Sequence, residues 1–91
     1  MEIDQKEIVL AKLMVQRDRL TGKISAQEEK MAKLKQTALQ QAKEGNKDQA
    51  MYTVQKVKRI KEFKNNLTKR LEFMDKQVDN IESAMDDVSF T

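Results

Sequence analysis

The side chains that most often carry chemistry are scarce in this sequence. It has no histidine and no cysteine, so imidazole acid–base catalysis, thiolate nucleophiles and thiolate metal sites are all unavailable. Ser25, Ser83 and Ser89 lack an evident base to activate a hydroxyl. The acidic doublets Glu28-Glu29 and Asp86-Asp87 point to different sides of a helix and do not jointly hold a substrate. Gly22 and Gly45 are the only glycines, so there is no glycine-rich phosphate loop. The expectation is a protein that is not an enzyme and takes no cofactor and no metal.

What remains is charge and its placement. Charged residues make up 36% of the chain, with a net charge of +3. Residues 23–70 carry 13 Lys/Arg and 5 Asp/Glu, a net +8, and the remainder carries 5 and 10, a net −5. Glu72, Asp75, Asp79, Glu82 and Asp86 recur at three- and four-residue intervals, which sets them along one helix face. A loose calcium site is one reading of that stripe. Ion pairs with Arg19, Arg17, Lys12 and Lys6, each worth ~0.2–1 kcal/mol, account for it without a metal. The basic residues Lys56, Lys58, Arg59, Lys61 and Lys64 crowd around a lone Glu62. The segment expected to face them adds Lys30, Lys33 and Lys35 against Glu28 and Glu29. An anionic membrane surface contributes about 1 kcal/mol per nearby Lys or Arg, and the plain alternative is a solvated basic face. Tyr52, Arg59, Phe63 and Arg70 share one side of the same segment. That stripe could seat a neighbouring helix, lie on acyl chains or stack on nucleic-acid bases. No recognised nucleic-acid motif accompanies it, so nucleic acid is not an expected partner. Tyr52, Phe63 and Phe73 are the expected assembly contacts.

The elements that must position these residues are helices. The chain of 91 residues has no proline and 4% aromatics, a profile of long helices rather than of a sheet or a deep globular core. Asp4 is placed to cap the first helix, with Glu7 completing a capping box. From there a seam alternates by three and four: Ile3, Leu10, Leu13, Leu20, Ile24, Met31, Leu34 and Ala38, with Lys6, Arg17, Gln27 and Gln41 in the same register. Gly22 lies off the seam and costs ~1 kcal/mol relative to alanine, either as a weak point or as a place of close contact. A second seam runs through Ala50, Thr53, Val57, Ile60, Lys64, Leu67, Leu71, Met74, Val78, Ile81, Met85 and Val88. Between them Gly45 supplies a helix-ending left-handed conformation, and Asn46 with Gln49 reads as the cap of the next helix.

The expected fold is therefore all-α: one long antiparallel, coiled-coil-like helical hairpin over residues 1–91. Helix one covers about 4–43, the tip 44–47 at Gly45 and Asn46, and helix two about 47–88. In that register Leu71 lies near Leu20, Leu67 near Ile24, Ile60 near Met31 and Ile81 near Leu10. The rival is a continuous helix that dimerises, and Gly45 with its capping signals argues against it. Two helices bury only one face each. Val9, Met14, Val15, Met51, Tyr52, Val54, Phe63, Phe73 and Phe90 stay off the seam and call for a further helix, a partner or a membrane. The apolar runs are far too short to span a bilayer and no signal peptide is visible, so the expectation is a soluble cytoplasmic protein and a fragment of a larger helical one. The split of charge suggests self-assembly, with the acidic open end of one copy docking a neighbour's basic tip.

Four segments, in their order and spacing, carry a resemblance. They are Gln16-Arg17-Asp18-Arg19-Leu20, the tip Gly45-Asn46-Lys47-Asp48-Gln49-Ala50, the run Lys56-Val57-Lys58-Arg59, and Gln77-Val78-Asp79-Asn80-Ile81-Glu82. Together they resemble the N-terminal helical hairpin of an ESCRT-III subunit, the charged multivesicular body protein family, over nearly the whole chain from Ile3 to Thr91. The first segment and Phe90-Thr91 look most similar to the subunit that links ESCRT-II to the polymerising ESCRT-III subunit. The resemblance implies a membrane-remodelling scaffold that assembles on endosomal membranes for multivesicular body budding and cargo sorting. It implies as partners other ESCRT-III subunits, the winged-helix subunit of ESCRT-II and an anionic membrane surface, with peripheral attachment to endosomes. Lys56, Lys58, Arg59 and Lys61 match the family's membrane-facing positions, and Val9, Met14, Gln16 and Arg17 its ESCRT-II contact. A myristoylated leader, the acidic C-terminal helices and an ATPase-recruiting motif are missing from the pattern, as expected of a fragment. The reading that competes with this one is a generic coiled-coil adaptor without lipid binding.

Overall fold

A computed structural model describes residues 4–89, with side chains described as far as Ala84. The chain forms two helices, α1 (Gln5–Lys43) and α2 (Lys47–Ser89), packed antiparallel as a hairpin. Its extents of 69 × 20 × 14 Å are those of a flat ribbon one helix thick and two helices wide. Ile3, Phe90 and Thr91 lie outside the described residues, as do the side chains of Met85, Asp86 and Val88.

The seam decides what is covered. In α1 the residues that lose much of their exposure are Leu10, Leu13, Arg17, Leu20, Ile24, Gln27, Met31, Leu34, Ala38 and Gln41, all on the expected register; Lys6 alone of the described seam stays exposed. In α2 the seam from Ala50 to Ile81 is covered likewise, joined by Thr68, Asp75 and Ala84 beside it. Val78, at 2% exposure, and Leu67, at 4%, are the deepest residues. Burying such a side chain contributes about 1.5–3 kcal/mol. The three-and-four spacing matters because it returns each residue to the same side of the helix every two turns.

Arg17, Gln41, Thr53 and Lys64, four of the six polar residues in the seam, are paired across it. Arg17 Nη1 lies 3.5 Å from Asp75 Oδ1, and Lys64 Nζ lies 3.1 Å from Glu28 Oε1. The Thr53 hydroxyl is 2.7 Å from the Gln41 side-chain oxygen and 3.0 Å from the Gln49 carbonyl, with one proton to donate to either. These three contacts place the hairpin in the expected register to within one turn. Of the ion pairs expected along the acidic stripe, only Arg17–Asp75 forms among the described residues; the pairing of Lys6 with Asp86 falls outside them. Arg19 and Lys12 are directed away from the acidic row because they sit on the opposite flank of α1.

The tip is a Schellman turn. Gly45 takes φ +84, its N–H donates to the Ala42 carbonyl, and the Asn46 N–H donates to the Gln41 carbonyl. The Asn46 carbonyl then accepts from Ala50 N–H, opening α2. The two expected capping boxes do not close. The Asp4 carboxylate accepts from the Lys6 N–H at 3.3 Å and the Asp4 carbonyl from the Glu7 N–H at 3.0 Å, but among the described residues the Glu7 carboxylate accepts nothing from the Asp4 N–H, and the Asn46 and Gln49 side chains make no reciprocal bond to backbone. Exposed caps can be satisfied by water instead.

Candidate interaction faces

Each helix carries two rows of residues flanking its seam, and the antiparallel packing sorts those rows onto opposite broad faces. Two grooves show which rows share a face. One is lined by Lys35, Ala38, Leu39 and Ala42 of α1 and Ala50, Val54 and Val57 of α2. The other is lined by Gln16, Arg19, Leu20 and Lys23 of α1 and Arg70 and Met74 of α2.

The face holding the second groove is basic throughout. Helix α1 gives it Lys12, Arg19, Lys23, Lys30 and Lys33, and α2 gives it Lys56, Arg59 and Arg70. No acidic residue falls in these two rows along either helix as far as Ala84. On α2 the row reads Tyr52, Lys56, Arg59, Phe63, Asn66, Arg70, Phe73, Gln77, so aromatic rings alternate with cations at three-and-four spacing. Tyr52, Phe63 and Phe73 are 59%, 51% and 62% exposed. Lys56 Nζ sits over the Tyr52 ring, 4.7 Å from its centre, a cation–π contact at an exposed site.

The opposite face is mostly acidic. Asp4, Glu7, Asp18 and Glu28 of α1 and Glu72, Asp75, Asp79 and Glu82 of α2 belong to it, with Lys35, Lys58 and Lys61 at the tip end. These acidic groups do not converge: among the described residues no group of three or more ligating side chains could hold a metal ion. The spacing along a helix keeps successive carboxylates about one turn apart.

The structure therefore divides the expected membrane-binding set. Lys56 and Arg59 lie on the basic face; Lys58 and Lys61 lie on the other. Lys64 is on neither, because it occupies a seam position, half-covered, with its charge on Glu28. The sequence reading did not single out Lys12, Arg19 and Lys23 as partners of Lys56 and Arg59, since only the hairpin packing brings α1's row alongside α2's. The expected ESCRT-II contact set is divided as well. Val9 and Gln16 are on the basic face, Met14 is on the acidic one, and Arg17 is half-covered in the seam with Asp75. Ile8 and Val15, both exposed, make a more continuous outward patch on the back of α1. Ile8 and Leu39 were missed by the sequence reading, although the spacing of Ile8 from Val15 and of Leu39 from Ala42 marks the rows to which they belong.

No described helix is long and apolar enough to cross a membrane. No protein-family profile matches the chain, and no characterised protein or solved structure matches it significantly.

Proposed function

We propose that the hairpin is a membrane-remodelling scaffold subunit of the ESCRT-III type, lying with its basic broad face on anionic endosomal membrane and bridging ESCRT-II to the polymer. The observation that carries this reading is the acid-free basic face with Tyr52, Phe63 and Phe73 set among its cations. Cations gain about 1 kcal/mol each near an anionic bilayer, and amphipathic rings favour the headgroup region. A ribbon 20 Å wide rests both helices on the surface at once. The resemblance to ESCRT-III hairpins supplies the endosomal setting and the protein partners.

Co-sedimentation with vesicles of phosphatidylcholine, alone and mixed with phosphatidylserine, tests the reading across a salt series. Binding is expected only to the mixed vesicles and is expected to fade as salt rises. Replacing Lys23, Lys30, Lys56 and Arg59 by glutamate is expected to weaken it by roughly a thousandfold, at about 1 kcal/mol for each residue. Unchanged binding by that variant would sink the face assignment, and no binding at low salt would sink the membrane role. The second reading, a coiled-coil adaptor without lipid contact, draws on the open apolar groove at the tip of the other face. It expects indifference to both kinds of vesicle.

A further inference from the structure

The acidic broad face has a lengthwise order of its own. Its row on α2 runs Met51, Val54, Lys58, Lys61, then Asn65, Thr68, then Glu72, Asp75, Asp79, Glu82. One half is apolar and basic, the centre is uncharged, and the other half is acidic. The part of that row from Lys58 to Asp75 is complementary to itself when reversed, with Asp79 and Glu82 then falling over Val54 and Met51.

We infer that this face pairs with the same face of a second copy, antiparallel and two-fold symmetric, to make a four-helix dimer. Parallel stacking is excluded by charge, since it sets lysines on lysines and carboxylates on carboxylates. Antiparallel stacking about an axis across the ribbon lays α2 over α2 and α1 over α1. The register that sets Lys61 over the second copy's Glu72 also sets Lys58 over its Asp75. Because each hairpin is one packed unit, that choice fixes α1 with no further freedom. It brings Leu39, which is 63% exposed, over the second copy's Ala11–Met14 segment, and Lys35 close to its Asp18. The charge pattern of α2 and the apolar pattern of α1 thus ask independently for the same alignment. Near the axis the uncharged Thr68 faces the second copy's Asn65, and Ser25 lies beside its own copy.

The overlap is about 45 Å long on a ribbon 20 Å wide. That is roughly 900 Å² for each copy, against ~800 Å² per partner in interfaces of standard size. Such an isologous contact closes on itself. It would cover the acidic face and leave a basic face outward on each side of the dimer. The inference deepens the self-assembly part of the function proposed above. It is tested without vesicles, so its failure and the failure of the membrane role are separately visible.

Sedimentation velocity over a concentration series, at low and high salt, gives the first reading: a dimer that weakens with salt is expected. The chain has no cysteine, so single thiols can be placed at will. Ser25→Cys and Ala26→Cys alter adjacent exposed residues on opposite broad faces. With a short bismaleimide, Ser25→Cys is expected to cross-link into dimers at least tenfold faster than Ala26→Cys. Lys61→Glu, and separately Glu72→Lys, which face each other in this register, are each expected to give monomers with unchanged helicity by circular dichroism. An equal mixture of those two variants is expected to restore the dimer mass. A chain that stays monomeric at every concentration overturns the inference. Equal cross-linking at the two thiols, or charge variants that dimerise like the parent, overturns it as well.

Discussion

Gly45 is the residue on which the reversal of the chain depends. Its φ of +84 lies where a Cβ is strained against the backbone, although the space around it is open. Gly45→Ala is therefore expected to lower stability by about 1 kcal/mol from backbone strain alone. Gly45→Asn is expected to cost less, because asparagine tolerates that region. Urea denaturation followed by circular dichroism measures both, and equal losses for the two would remove backbone strain as the cause. Lys64 makes the complementary point. It occupies a seam position and places its ammonium on Glu28 at 3.1 Å. Glu28 is about half exposed and remains hydrated if its partner is lost. Lys64→Leu is thus expected to raise stability by about 1 kcal/mol, by extending apolar contact across the seam. A stability loss in the same denaturation assay would mean that the ion pair outweighs the packing.

At the scale of the helices, stability comes from one stripe on each. Leu67→Ala, at 4% exposure, is expected to cost about 2–3 kcal/mol, toward the lower end of the usual range because a two-helix seam can partly collapse. Gly22 lies in α1 with nothing within 4 Å of the place a Cβ would take. The close-contact reading of that glycine is therefore excluded, and Gly22→Ala is expected to add about 0.5–1 kcal/mol. Thermal melts of the two variants should move in opposite directions; a destabilised Gly22→Ala would point to a contact made only in an assembly. The seam register was legible in the sequence because a period near 3.5 is a property of residue order. The failed capping boxes were not, because two polar side chains at the right spacing can turn to solvent instead of to each other.

For the whole molecule, the useful quantity is charge by face rather than by length. Lys58→Glu with Lys61→Glu removes cations from the acidic face only, so vesicle binding is expected to fall far less than with the basic-face variant at Lys23, Lys30, Lys56 and Arg59. Co-sedimentation of the two variants side by side checks this, and equal losses would show that the membrane contacts the outer edge of α2 instead of one broad face. A run such as Lys56-Val57-Lys58-Arg59 looks like one cluster in sequence. Successive residues on a helix turn by about 100°, so its cations leave in different directions.

Residue order by itself determined the two helices, the seam, the turn at Gly45 and the register, since all of these follow from spacing along one chain. It also placed the cations and aromatic rings near the tip. Only the tertiary structure decided which flank of α1 lies beside which flank of α2. Antiparallel packing joined Lys12, Arg19 and Lys23 to Lys56, Arg59 and Arg70, sent Lys58 and Lys61 to the opposite face, and set the seam residues Arg17 and Lys64 on Asp75 and Glu28. A face shared by two helices is a property of their packing, and neither helix carries it alone.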